Sequence, residues 1–363
     1  MVWLGIVCAL IWWGILLAPW RPWSTRERLV ALPAGGDFSD ITALIPARNE
    51  ADGLPRTLAA LHAQGSGLHT IVIDDQSDDG TAAAARAAGA EVIAGAPLLA
   101  GWSGKLWALE QGRRRAGTRW LLLLDADIEL LPGALAAFVK LAQERGLAMA
   151  SVMAELRMQS FFERLLMPAF IYFFKLLYPF ALANSPRSRI AAAAGGCVLI
   201  ERSVLDEIGG FGALRDALID DCALAHAVKS RGHAIWVGLS HAVVSRREYG
   251  TLAPIWEMVA RTAFTQLRYS IWPLGACTVL LIVACWVPVA GLFFPGARAA
   301  AVAAWIALIA GFVPVLRFYG RAPWWSLGMP LIGTLYLAMT WHSAVRCWRG
   351  VRSRWKGRDY QAA

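Results

Sequence analysis

Residues 120–127 read Trp-Leu-Leu-Leu-Leu-Asp-Ala-Asp, an apolar run that stops at two carboxylates, Asp125 and Asp127. Consecutive large apolar residues without alternation suit a strand covered on both faces. Polar residues directly after such a strand stand at its carboxyl end, where open α/β sheets bind their ligands. Two earlier segments end in a similar way. Ile41 to Ile45 reads as a buried strand ending at Pro46, and Thr70 to Ile73 as a strand ending in Asp74 and Asp75. Glu50 to His62 between them has helical character, which gives β-α-β. A helix over Thr81 to Ala88, a strand near Glu91 to Ile93 and a helix over Lys105 to Ala116 carry the alternation up to Trp120. The class expected is α/β, a mostly parallel sheet with helices on both faces.

Two carboxylates as close as Asp125 and Asp127 resist joint ionisation unless a cation sits beside them. Mg²⁺ does this with one or two protein carboxylates, its other ligands being water and substrate phosphates. The same acids could instead be turn or cap residues before Pro132. Asp74-Asp75-Gln76-Ser77-Asp78-Asp79-Gly80 forms a second acidic strand end, or a turn and N-cap for the following helix. Trp102-Ser103-Gly104-Lys105 precedes a helix, so backbone N–H groups and the lysine could meet a diphosphate; the stretch is no Walker A loop, and a solvated lysine is the plain alternative. Asp220-Asp221 opens a helix over Cys222 to Val228, as a general base or as a cap. Gly195-Gly196 and Gly209-Gly210 mark tight backbone, cleft or turn. The histidines show no metal-ligand spacing. The six cysteines form no CxxC pair, so neither a zinc site nor a disulfide framework is indicated.

Composition places part of the chain in lipid. Of 363 residues 57% are hydrophobic and only 17% charged, with 18 Trp. Met1–Trp20, Ile271–Ala297, Ala299–Leu316 and Ala322–Val345 carry no charged side chain, each near the ~20 residues that span a bilayer. The expected organisation is an N-terminal transmembrane anchor (1–20), a linker (21–36), a cytoplasmic catalytic domain (37–260), C-terminal transmembrane or re-entrant helices (271–347) and a basic tail (348–363). Phe161 to Asn184 is aromatic-rich, but Glu163, Arg164 and Lys175 argue against a span and for one or two interfacial helices, an ordinary core helix pair being the alternative. The net charge of +9 gathers at Arg21, Arg26, Arg28 and along Arg346–Arg358, beside apolar blocks. That distribution points to an anionic membrane surface and not to nucleic acid.

The ordered set of motifs resembles the family 2 glycosyltransferases with the GT-A fold. Ile45-Pro46-Ala47-Arg48-Asn49-Glu50 is similar to the family's opening strand, and Ile73 to Thr81 to its nucleotide-recognition motif. Lys105 to Leu109 is similar to its donor-diphosphate lysine segment, Asp125-Ala126-Asp127 to its metal-binding DxD, and Asp220-Asp221 to its ED pair. The resemblance implies that Pro46, Arg48 and Glu50 belong to the donor site, that Asp74 and Asp75 hold base and ribose, and that Asp125 contacts nucleotide or sugar. It further implies that Asp127, with Asp125, takes a divalent metal (Mg or Mn), that Lys105 faces the diphosphate, and that Asp221, beside Asp220, is the catalytic base. The implied reaction is one-step inverting transfer from a nucleotide-diphosphate sugar, a UDP-sugar by family habit, to a membrane lipid acceptor. Ser103-Gly104-Lys105, Ile219 to Cys222 and the tail Trp355 to Tyr360 are most similar to the hopanoid biosynthesis-associated members. Ceramide glucosyltransferase-like and carotenoid glycosyltransferase relatives share the likeness.

Two departures qualify it. Asp220 stands where many members have Glu. The Q/RxxRW signature of processive synthases is reduced to Gln266-Leu267-Arg268-Tyr269, which favours transfer of one sugar over a polysaccharide synthase. The remaining alternative is a catalytically inactive membrane scaffold. The expected location is the inner (cytoplasmic) membrane, multi-pass, with the catalytic domain in the cytoplasm. Three C-terminal crossings would put the basic tail outside, against the positive-inside bias, so the block around Trp324–Val345 is expected to be re-entrant or interfacial, returning the tail to the cleft.

Overall fold

The computed structural model describes all residues except 216, 218, 356, 357, 362 and 363, and gives the backbone alone over 351–361. The chain forms two compact units. One comprises Glu27–Arg157 and Leu182–Glu248, the other Met1–Arg26, Met158–Ala181 and Tyr249–Ala363.

The chain opens with α1 (Val2–Leu17), a helix of the second unit. The α/β unit then runs β1 (Ile41–Ala47), α2 (Leu54–His62), β2 (His69–Asp74), α3 (Thr81–Ala87), β3 (Glu91–Ala94) and α4 (Gly104–Arg115). It continues with β4 (Trp120–Leu124), β5 (Ile128–Leu130), α5 (Ala134–Arg145) and β6 (Met149–Glu155). After α6 (Phe161–Leu177) and α7 (Phe180–Ala183) come β7 (Cys197–Glu201), α8 (Arg202–Glu207), a 3-10 turn at Gly210–Leu214, α9 (Asp220–Ser230) and β8 (Ile235–Ser245). The eight strands form one sheet in the order β3-β2-β1-β4-β7-β6-β8-β5.

Around β1 the sheet is parallel: β1 pairs with β2 and β4, and β2 with β3. Every residue of β1 is buried. Its side chains alternate between two cores, Ile41, Ala43, Ile45 and Ala47 on one face and Leu44 on the other. The first face packs against Leu54, Leu58 and Leu61 of α2 and Phe138 of α5, the second against Leu106 and Leu109 of α4 and Leu224 and Val228 of α9. Each fully buried Ile or Leu there contributes about 1.5–3 kcal/mol, which makes β1 the strand the unit is built around. Pro46 is tolerated because the ladder to β4 ends at Leu44, so its missing N–H is not needed on that side.

The sheet turns mixed beyond β4. β7 pairs antiparallel with β4 and β6, β5 pairs antiparallel with β8, and β6 pairs parallel with β8. The register Leu124↔Cys197 sets Gly195-Gly196 opposite Asp125, and Ile128↔Ser245 sets Ser245 beside Asp127.

The helical unit adds α10 (Leu252–Ala260), α11 (Ala263–Gln266), α12 (Ile271–Gly291), α13 (Arg298–Phe318) and α14 (Met329–Trp348), then a β9 (Val351–Trp355) and β10 (Arg358–Gln361) antiparallel pair. Ile271–Gly291 and Pro295–Phe318 are long and apolar enough, by length and composition, to cross a membrane; Val2–Leu17 is a shorter apolar helix. Of the charges that set α6 apart from a span, Arg164 is exposed, whereas Glu163 and Lys175 are both buried. Burial works against the Glu163 carboxylate, but N–H groups of Ser160, Gln159, Tyr249 and Gly250 hold its pKa down to about 2. Lys175 donates to the Ser24 carbonyl, and its ammonium lies 4.3 Å from the Phe180 ring centre. Of the tail segment singled out in the sequence, residues 356 and 357 lie outside the described residues.

Candidate active site

β1, β2 and β4 end at one edge of the sheet, next to the point where strand order reverses about β1. At the β4 end, the Lys105 ammonium lies 2.6 Å from Asp125 Oδ1 and donates to the Gly195 carbonyl at 3.2 Å. Gly195 N–H in turn donates to Asp221 Oδ2 at 2.9 Å, and Cys222 N–H donates to Asp221 Oδ1 at 2.7 Å. Asp125, Lys105, Gly195 and Asp221 therefore form one connected array. A Cβ added at Gly195 would lie 3.2 Å from Asp221 Oδ2, so the glycine is what lets the two backbones close up. These residues, with Pro46 and Asp220, line a pocket whose remaining wall is apolar, including Leu109, Leu123, Phe211 and Leu214.

Local sequence explains each placement. Lys105 is the second residue of α4, whose Ser103 N-cap accepts from Leu106 N–H. Burial disfavours its charge, but Asp125, then Asp220 and Asp221, outweigh that and hold the ammonium above the usual lysine range. Asp221 stands in the first turn of α9. Its pKa is pushed up to about 6, first by burial and then by Asp220, with the two N–H donors and Lys105 opposing. A half-buried carboxylate with that affinity for protons, oriented by two amides, has the properties of a general base near neutral pH.

Asp127 accepts from Ser245 Oγ at 3.1 Å, and its carbonyl accepts from Arg246 N–H. Burial, then the charge of Asp125 and, more weakly, Glu50, raise its pKa, with Arg247 and Ser245 pulling the other way. Three carboxylates bearing on one another at a strand edge suit a divalent cation with oxygen ligands. Among the described residues no group of three or more His, Cys, Asp or Glu is arranged to hold a metal on its own. Asp125 and Asp127 offer oxygen donors of the kind a divalent cation takes.

Arg48, Glu50, Asp74 and Asp75 gather at the ends of β1 and β2 but do not line that pocket. Arg48 donates to the carbonyls of Asp75 (2.6 Å) and Gln76 (3.1 Å), and Glu50 N–H donates to Thr81 Oγ1 at 2.9 Å. Asp74 accepts from Ser77 N–H, while Asp75 is buried. Asn49 and Gln76 both take left-handed backbone. These are reciprocal loop-to-loop bonds: residues 48–51 and 74–81 form one cross-linked edge, with Asn49 N–H on Ser77 Oγ and Asp78 N–H on Asn49 Oδ1. Ser245 is a site residue the sequence did not signal, because its place beside Asp127 depends on the pairing of strands far apart in the chain.

Residues 42–209 match the sequence profile described as Glycosyl transferase family 2. This region of the chain belongs to that family. The family 2 region contains Pro46, Arg48, Glu50, Asp74, Asp75, Lys105, Asp125 and Asp127, while Asp220 and Asp221 lie beyond the matched range. A 4,4'-diaponeurosporenoate glycosyltransferase of Staphylococcus haemolyticus (strain JCSC1435) is 39% identical over 98 residues, 26% of each chain. One from Staphylococcus aureus (strain MRSA252) is 35% identical over 107 residues, 29% of this chain and 28% of that one. The chain thus matches about a quarter of the length of these curated relatives. The mannosyltransferase PcManGT from Pyrobaculum calidifontis, solved in complex with GDP-Man and Mn²⁺, superposes with a TM-score of 0.54 at 18% identity, covering 95% of this chain and 98% of that one. The shared fold is GT-A, the α/β fold expected from the sequence.

Proposed function

We propose that the protein is a membrane-bound inverting glycosyltransferase that moves a single sugar from a nucleotide-diphosphate donor to a lipid-like acceptor. The observation that carries this reading is the array in one pocket of Lys105, Asp125 and a proton-avid Asp221, with Asp127 on the adjoining turn. Acceptor class follows the relatives, whose names specify diaponeurosporenoate; the motif likeness to hopanoid-associated members favours an isoprenoid-type lipid alcohol or acid.

In this reading Asp127 and Asp125 would hold a divalent metal, which when bound offsets negative charge on the leaving diphosphate. Lys105 and the N–H groups opening α4 face the same charge. Asp221 takes the proton from the acceptor oxygen as that oxygen bonds to the anomeric carbon. The sugar–phosphate bond breaks on the opposite face, and configuration inverts. The two amides on Asp221 fix its direction, so little reorganisation is needed at the moment of transfer.

The helical unit supports the membrane part. Outward side chains of α1 and α12 are large and apolar, with Trp3 80%, Leu10 67% and Trp272 84% exposed, a surface suited to lipid. Gly5 packs on Ala297 and Ala300 and Gly296 on Val2, so α1 and α13 start at the same end of the bundle. Arg21 and Arg26 follow α1, and Arg317 and Arg321 close α13; this concentration of charge favours the cytoplasm for the opposite end, where both helices finish. α14 runs antiparallel to α12, with Trp286 bonded to Thr334 and Trp341 to Thr278. Its last turn reaches back to α10 through Arg346 and Glu257, 2.5 Å apart. These contacts support a reading in which the basic tail is cytoplasmic and α14 adds no net crossing of an inner membrane.

The test is donor binding to detergent-purified protein by titration calorimetry, with UDP- and GDP-sugars in the presence of Mg²⁺ or Mn²⁺. Metal-dependent binding of one nucleotide sugar, lost in Asp127→Asn, is expected. Binding of none, under conditions where the protein is folded, overturns the reading.

A further inference from the structure

Glu110 is a charged side chain buried to 3% exposure in α4, five residues after Lys105, and the reaction described above does not use it. All of its hydrogen bonds can be named. Oε1 accepts from Arg113 Nη2 at 2.8 Å and Arg114 Nε at 2.9 Å, and Oε2 accepts from Arg113 Nε at 2.9 Å and Phe211 N–H at 3.2 Å. Arg113 also reaches Asp206 of α8. The Phe211 amide belongs to the 3-10 turn Gly210–Leu214, which is therefore bolted to α4 by a buried carboxylate. Gly210 has φ +65°, and a Cβ there would lie 2.9 Å from both Glu110 Oε2 and Arg113 Nε. Only a glycine permits the turn to come this close.

The turn matters because of what it carries. Phe211 and Leu214 form the pocket wall facing Lys105 and Asp221, and the chain leaving Leu214 reaches Asp220-Asp221 within a few residues. A Cβ added at Gly212 would lie 3.7 Å from the Trp102 ring, on the loop that leads into α4. One helix thus holds the diphosphate-facing lysine at its start and, a turn and a half later, the anchor of the segment that delivers the base.

We propose that Glu110 is a positioning residue: through the Phe211 amide it sets the pocket wall and the approach of Asp221 relative to Lys105. This rests on the transferase reading, and the two fail differently. An ordinary structural role predicts loss of stability with unchanged kinetics per folded molecule. A positioning role predicts that the chemistry suffers while the donor still binds.

The experiment uses the full chain in detergent, comparing wild type with Glu110→Gln, Glu110→Asp and Asp206→Asn for kcat, donor KM, the acid limb of the pH profile and melting temperature. Glu110→Gln is expected to lower kcat 10–100-fold with donor KM within about threefold, and to displace the acid limb. Glu110→Asp should recover part of kcat, and Asp206→Asn, which loosens only the outer contact, should keep kcat while lowering the melting temperature. If Glu110→Gln does not fold, Arg113→Lys, which keeps the charge and loses the paired geometry, takes its place with the same expected kinetics. Unchanged kcat and pH profile in a folded Glu110 or Arg113 variant overturns the proposal. An inactive wild type instead overturns the transferase reading beneath it.

Discussion

At the scale of single residues, Asp221 combines proton affinity with fixed orientation. If Asp221 is the base, as proposed, its carboxylate is the working form, and activity present above a pKa of about 6 is lost as pH falls through it. The acid limb of kcat/KM should therefore have an apparent pKa near 6 and unit slope, and a flat profile down to pH 5 would remove Asp221 from the role. Asp221→Asn should cost about 10²–10⁴-fold in kcat with donor affinity retained, as for loss of a general base. Ser245 Oγ donates to the Asp127 carboxylate, and in the proposed site it would orient that ligand. Ser245→Ala should weaken activation by metal about 10-fold or more, measured as the half-saturating Mn²⁺ concentration, since outer partners of metal ligands commonly matter that much. Because burial and Asp125 raise the Asp127 pKa, protons compete with the metal more strongly than at an ordinary carboxylate, and that half-saturating concentration should rise as pH falls.

Among the elements, α4 is the piece on which the site depends. Gly112 lies against the sheet, and a Cβ there would come within 2.8 Å of Ile73 Cδ1 and 3.1 Å of Leu44 Cδ2. Gly112→Ala should destabilise by about 1–3 kcal/mol through overpacking, despite the better helix propensity of Ala, as read from denaturant unfolding of the full chain; unchanged stability would mean that α4 has room to move. How much of this was legible follows from the range of each contact. β4 runs Trp120–Leu124 as its unbroken apolar run dictates, and α4 starts one residue before the helix expected from Lys105. α2 starts at Leu54 and not at Glu50, because residues 48–51 are tied to the 74–81 loop with Asn49 in left-handed backbone. No local pattern encodes a cross-link of that kind. The antiparallel pairings of β7 with β4 and of β5 with β8 were equally invisible, yet they bring Gly195 to Lys105 and Ser245 to Asp127. Local periodicity reveals which strands end in acids; only pairing register reveals what meets those acids.

Over the whole chain, apolar blocks that read as several crossings resolve into a bundle whose directions can be followed through small-residue contacts and Trp hydrogen bonds. Single-cysteine labelling in intact cells and opened vesicles, in a background with the six native cysteines replaced, should find the Leu292–Ala297 turn accessible from outside. Positions beside Arg26 and Arg349 should be labelled only from inside. Labelling of the tail from outside would make α14 a full crossing. The transferase assignment itself is tested most directly by turnover: purified chain with its cognate nucleotide sugar, membrane lipid extract as acceptor, Mn²⁺ or chelator, and wild type against Asp127→Asn and Asp221→Asn. Transfer of one sugar per lipid, requiring metal and lost in both variants, is the expected result; transfer that persists in Asp221→Asn, or donor binding without any turnover in wild type, contradicts it.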